Sequence, residues 1–154
     1  MLLVGSDFID NNASFNTKLK RDGAKVFVQA IALAGVDENT PVMVQFGGSG
    51  YCASALADSN YAYIGVPEGT QSIGVGSVGW LQIRGPVTDV QGAATSMTGS
   101  VGHAVYWAGA TGLGATVSGN VGNLDIGQIG ILTEEVSSST TGNIYLTGVW
   151  AAPI

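Results

Sequence analysis

Charge is what this chain has least of. Only 10% of its 154 residues are Asp, Glu, Lys or Arg, and the run Val90–Leu124 holds none of them. A disordered segment would be rich in charge and poor in apolar residues, whereas 45% of this chain is hydrophobic, enough to build a core. The eleven acids outnumber the five Lys and Arg, giving a net charge of −6. That balance excludes the basic footprint with which proteins coat phosphate, so no nucleic-acid partner is expected. Cysteine occurs once, as Cys52, which excludes an intramolecular disulfide. Together with the one histidine, His103, it falls short of any zinc set. No metal or cofactor is expected.

Long apolar runs are also missing. Mean hydropathy is positive, at +0.32. Yet the uncharged run Val90–Leu124 is interrupted throughout by glycine, serine, threonine, asparagine and glutamine. It is far from the ~20 consecutive apolar residues that a spanning helix needs, so no membrane partner is expected. Met1-Leu2-Leu3-Val4 is too short for the apolar core of a secretory signal and runs into Gly5-Ser6-Asp7. Without a signal, the Asn12-Ala13-Ser14 sequon carries no meaning.

Glycine is what the chain has in excess, 24 residues with no three-residue period, so a collagen-like helix is excluded. Between the glycines lie short β-branched runs. Residues 1–24 show neither strand nor helix periodicity and read as an N-terminal arm, with a single β domain over 25–154. Strands are predicted at Val26–Ala34 and Val42–Phe46, and at Tyr51–Ala57 and Tyr61–Val66 as a hairpin around Asp58-Ser59-Asn60. In Trp80-Leu81-Gln82-Ile83-Arg84 strict alternation puts Leu81 and Ile83 on one face. Further strands are predicted at Val101–Trp107, Gly114–Val117, Gln128–Thr133 and Asn143–Val149. The fold class is all-β: a sandwich or barrel of about eight to ten short antiparallel strands.

One pattern occurs twice. Ile64-Gly65-Val66, then an acidic loop with Glu68, leads to Gly79-Trp80-Leu81-Gln82-Ile83-Arg84-Gly85. Ile129-Gly130-Ile131, then Glu134-Glu135, leads to Gly142-Asn143-Ile144-Tyr145-Leu146-Thr147-Gly148. The pattern predicts a strand, a loop and a return strand, used twice.

Catalytic signals are weak, and no enzyme is expected. Gly74-Val75-Gly76-Ser77-Val78-Gly79 has the letters of a dinucleotide fingerprint but leads into a strand, where the chemistry needs a helix N-terminus. His103 is predicted on the strand face of Val101 and Val105, as a core or interface histidine. Glu134 and Glu135 are adjacent, so on a strand they face opposite ways and cannot flank one glycosidic bond. Cys52 has no neighbouring cation to activate it and reads as a small buried hydrophobe. Trp80, Trp107 and Trp150, with five tyrosines, are of the kind that stack on sugars, although strand aromatics ordinarily fill cores and subunit contacts.

The twice-used pattern, with Pro86-Val87 after the first copy and Val149 after the second, resembles small head proteins of tailed bacteriophages. It is similar to capsid decoration, or cement, proteins. The resemblance spans about residues 51–150 and implies a virion structural protein on the outer surface of the capsid. The implied partner is the major capsid protein, which such subunits bind as an assembled lattice and stabilise. It also implies self-association as a homotrimer, and the uncharged run Val90–Leu124 points the same way. Subunit contacts are expected at Val101, Val105, Trp107 and Leu113. Capsid contacts are expected from the arm, through Phe8, Phe15, Lys18, Lys20 and Arg21, although a charge run such as Lys18–Lys25 is ordinarily just solvated. The competing expectation is a glycan- or receptor-binding β module of a phage fibre or head spike.

Overall fold

The computed structural model describes residues 8–9, 18–47, 50–54, 63–69, 71–92, 97–107, 115–117 and 128–148. Within them the protein is all-β. The first strands are β1 (Phe8–Ile9), β2 (Lys18–Asp22), β3 (Lys25–Ala32), β4 (Val42–Gly47), β5 (Gly50–Ser54) and β6 (Tyr63–Pro67). They are followed by the long β7 (Val78–Gln91), then β8 (Met97–Gly99), β9 (Ala104–Trp107) and β10 (Ala115–Val117). The last are β11 (Gln128–Leu132), β12 (Val136–Ser139) and β13 (Thr141–Thr147). Eleven strands form one sheet in the order β1-β2-β3-β5-β4-β6-β7-β13-β11-β9-β10, while β8 and β12 pair separately.

An additional pairing between β3 and β7 closes part of that sheet. Strands β3, β5, β4, β6 and β7 thereby form a five-stranded barrel, with β3 and β5 as its parallel pair. Alternate residues of β3, β4 and β7 fill its interior: Val28 and Ala30, Val42 and Val44, Leu81 and Ile83. Ile73 plugs one end, where Val36 and Ile73 exchange two backbone hydrogen bonds of 2.9 and 2.8 Å.

Strand β4 lies between β5 and β6. The hairpin predicted between Tyr51–Ala57 and Tyr61–Val66 is therefore not formed. Instead β5 turns back on β4, with Gly47 opposite Gly50. The reason is burial. Val42, Met43 and Val44 are all at 0% exposure, so β4 is covered on both faces and takes the central place. A second difference lies at the start of the chain. Lys18–Asp22, in the segment read as an arm, are a strand paired with β3, Leu19 opposite Val28. Here charged residues supply the solvent side of a hairpin whose Leu19 packs on the barrel core, which masks the strand period.

The twice-used pattern is a structural duplication. Pro67 pairs with Leu81 as Leu132 pairs with Ile144, and Gly65 pairs with Val42 as Gly130 pairs with Val105. The Val36–Ile73 bridge matches Gly99 opposite Val136. The turn in which Thr40 N–H donates to Asp37 O matches that in which His103 N–H donates to Ser100 O. Left-handed backbone recurs too, at Asn39 (φ 57°) and Gly102 (φ 85°), and at Gly85 (φ 96°) and Gly148 (φ 68°). Most of these pairs share an offset of 63 residues (36 to 99, 42 to 105, 73 to 136, 85 to 148), while Gly65 and Pro67 are 65 residues from Gly130 and Leu132. The second half runs β7-β13-β11-β9-β10 in the same neighbour order as β3-β7-β6-β4-β5.

The halves share more than a strand. Met43, Ile64 and Val66 point away from the barrel interior and join Val90, Met97, Leu132, Ile144 and Leu146 in a second core. The second half of the large sheet is thus packed on the outer wall of the first barrel. Met43→Ala would open a cavity between the halves and is expected to cost about 2–5 kcal/mol. Urea unfolding should register that loss, still as one cooperative transition.

Candidate functional site

Two surface features stand out, both at the end of the barrel where Ile73 sits. The first is a cleft of about 310 Å³ lined by Glu68, Gln71, Ser72, Ser77, Val78 and Trp80, with Ile73 and neighbouring glycines behind them. The Val36–Ile73 bridge pins the connection between β6 and β7 at its midpoint, so the chain on either side forms the two walls. Glu68 N–H donates to Trp80 O at 2.9 Å, holding the rim together. Lys20 Nζ donates to Glu68 Oε1 at 2.6 Å and lies 4.9 Å from the Phe27 ring centre and 5.6 Å from that of Trp80. The ammonium is thus held by one carboxylate and two aromatic faces.

The second feature is a group of exposed aliphatic side chains. Leu33 is 58% exposed, Val75 71% and Val78 55%. They lie on two segments bonded to each other, since Ala32 N–H donates to Ser77 O at 3.0 Å and Gly76 N–H to Ala32 O at 2.7 Å. No charged residue occurs in Val26–Val36 or in Gln71–Ile83. At the corresponding places in the second half stand Ser138 and Thr141 (75 to 138, 78 to 141).

The residues singled out from sequence are scattered. Lys20 is half-buried in its pair with Glu68, and Arg21 is exposed, its Nε donating to Gly23 O at 3.2 Å. Val101 is 65% exposed in a turn, whereas Val105 is covered by its own chain in the second core. Phe15 and Leu113 lie outside the described residues, as do the side chains of Phe8, Lys18, Cys52 and Trp107.

His103 is not on the strand face expected for it. β9 begins at Ala104, and His103 closes an exposed turn in which its Nδ1 accepts from Ser100 N–H at 3.2 Å. The duplicated turn at Asp37–Thr40 shows why: this segment is built to reverse direction before the strand starts. Glu134 accepts from Asn143 N–H at 2.8 Å and from Asn143 Nδ2 at 2.9 Å, tying its loop to β13. Gly74–Ser77 is a turn into β7, with no helix after it.

Among the described residues, no group of three or more His, Cys, Asp and Glu could hold a metal ion. No helix of the described residues is long and apolar enough to cross a membrane. Set against protein-family models, curated proteins and solved structures, the chain matches none.

Sequence reasoning picked out Trp80, Glu68 and Lys20 separately and missed Gln71, Ser72, Ser77 and the aliphatic group. One signal was present: Val75 sits between two glycines in Gly74-Val75-Gly76, an aliphatic residue at the tip of a turn. The ion pair is partly exposed, 29% at Lys20 and 37% at Glu68. A double-mutant cycle on the two residues is therefore expected to give a coupling of only about 0.5 kcal/mol, falling further in high salt.

Proposed function

We propose that this protein is a virion structural subunit: a capsid decoration protein that binds the assembled major capsid lattice of a tailed bacteriophage from outside and stabilises it. The observation that supports this reading best is the exposed group Leu33, Val75 and Val78. Exposed aliphatic residues gathered on two segments without charge mark contact sites between proteins, because the centre of an interface is depleted in charge. The hydrogen bonds between Ala32, Gly76 and Ser77 hold the two segments in place. Docking therefore costs little ordering entropy. Lattice contacts through this end would be rigid against rigid, which suits a subunit that clamps a shell already built.

Stabilisation follows from mass action. A protein that binds the assembled lattice and not its separated subunits raises the free energy of disassembly. Self-association as a homotrimer belongs to the same proposal, because three-fold assemblies match the local three-fold axes of a capsid. Val101, exposed in its turn, is available for that contact, while Val105 is already used by its own core. Neither a nucleic acid nor a membrane is needed.

The test is particle binding. Decorated particles should carry this chain through purification and lose heat resistance without it. Leu33→Glu and Val75→Glu place a charge on an exposed site, where substitutions usually change stability by about 0.5 kcal/mol or less. Each is expected to keep the melting temperature and to weaken particle binding by about tenfold or more. Recovery of the wild-type chain only from the soluble fraction would overturn the proposal. Light scattering at micromolar concentration tests the trimer separately, and a monomer would remove that part.

A further inference from the structure

The cleft beside Trp80 borders the exposed aliphatic group at Val78, and the duplication sets the rest of it apart. In the second half the place of Trp80 is taken by Asn143 (80 to 143), and the connection before it carries Glu134. There the Glu134 carboxylate accepts both the backbone and the side-chain N–H of Asn143, so the two elements are cross-linked by a tight polar pair. In the first half the connection is two residues longer: Pro67 to Ile73 spans six positions, the equivalent Leu132 to Val136 four. The longer connection and the indole replace the cross-link with a cleft of about 310 Å³. One half uses this corner to hold itself together. The other has opened it.

We propose that the cleft is a binding site for a neutral saccharide, stacked on Trp80 and hydrogen-bonded by Glu68, Gln71, Ser72 and Ser77. The lining matches that chemistry on both counts. A pyranose ring has an apolar C–H face that packs on an indole, and an edge of hydroxyls that donate and accept. Glu68 offers carboxylate acceptors, which bind hydroxyl donors more strongly than neutral groups do. Gln71 adds a carboxamide and the serines add hydroxyls, so both senses of hydrogen bond are available. The nearby cation, Lys20, is already engaged by Glu68 at 2.6 Å, which leaves the wall without a free positive charge for a phosphate. The same ammonium contacts the Glu68 carboxylate and lies 5.6 Å from the indole ring centre, so it borders both the polar and the stacking element. The volume is at the lower end of small-molecule sites, suited to one or two sugar rings and too small for a folded partner.

The experiment uses the isolated full chain without particles, so its outcome is independent of capsid binding. Maltotriose, cellotriose, chitotriose and lactose are each titrated to about 20 mM, following the indole N–H resonance of Trp80 by NMR. At least one sugar is expected to shift that resonance saturably, with a Kd of about 1 mM or below. Trp80→Ala should abolish saturable shifts elsewhere in the cleft. Glu68→Gln, which keeps the shape and removes the charge, should raise Kd about fivefold or more, while Thr133→Ala in the second half leaves it within about twofold. The Glu68 variant decides the matter even where Trp80→Ala perturbs folding. No saturable shift with any of the four sugars, or equal affinity in a folded Glu68→Gln variant, would overturn the proposal.

Discussion

The structure depends on one strand shared by the two halves of the large sheet. Strand β7 pairs with β3 along one edge throughout its first half, with Gln82 opposite Phe27 and Arg84 opposite Val26. Its other edge changes partner: Gln82 faces Val66 of β6, and Arg84 faces Thr147 of β13. Where a ladder changes partner, backbone carbonyls lose their regular donors. The buried Gln82 side chain supplies them, its Nε2 donating to Arg84 O at 3.1 Å and Pro86 O at 2.9 Å. Gly85, just beyond, has a φ of 96°, and a side chain there would lie 2.7 Å from Ala24 O. A buried amide and a glycine in left-handed backbone thus let one strand leave the barrel and begin the second half of the sheet.

The fork also explains how so short a chain, with so little charge, holds two cores. The first barrel is small, and its outer wall is as apolar as its interior at Met43, Ile64 and Val66. Left to solvent, those side chains would forfeit about 1.5–3 kcal/mol each. The second half of the sheet covers them and gains a floor for its own core. Duplication is what makes this economical in sequence terms, because the same register and the same turns serve twice. What differs between the halves is the outside. Exposed Val75 and Val78 stand where the second half has Ser138 and Thr141, and an open cleft stands where it has the Glu134–Asn143 pair. Several buried positions stay aliphatic in both halves: Leu81 and Ile83 correspond to Ile144 and Leu146, and Val42 to Val105.

Much of this was legible before any coordinates. The alternation in Trp80–Arg84 put Leu81 and Ile83 on one face, and both are buried. The recurring apolar-Gly-apolar and Gly-x-apolar-x-apolar pattern marked the paired strands of both halves. Other parts were hidden for physical reasons. Strand β2 is a charged edge of the barrel, so no apolar alternation announces it. The segments Val36–Val44 and Gly99–Trp107 have the same turn and register, yet share no aligned residue beyond Val42 and Val105. A reversal asks for a backbone shape that asparagine and glycine can both adopt, and a strand asks only for a side chain that fits its neighbours.

The sequence by itself determined the class of structure: glycine-punctuated β-branched runs too short for helices, too interrupted for a membrane span, and sufficient for an apolar core. It also marked the duplication where close backbone approach or a left-handed turn repeats a glycine, as at Gly65 and Gly130 and at Gly85 and Gly148. Only the tertiary structure decided which strand lies beside which. Pairing is a competition among similar edges, won here by the strand whose two faces could both be buried, β4. It alone brought Lys20, Glu68 and Trp80 to one cleft and set Leu33 beside Val75 and Val78. Those residues are far apart along the chain, and nothing local requires them to meet. Closure of the barrel through β3 and β7 is what brings them together.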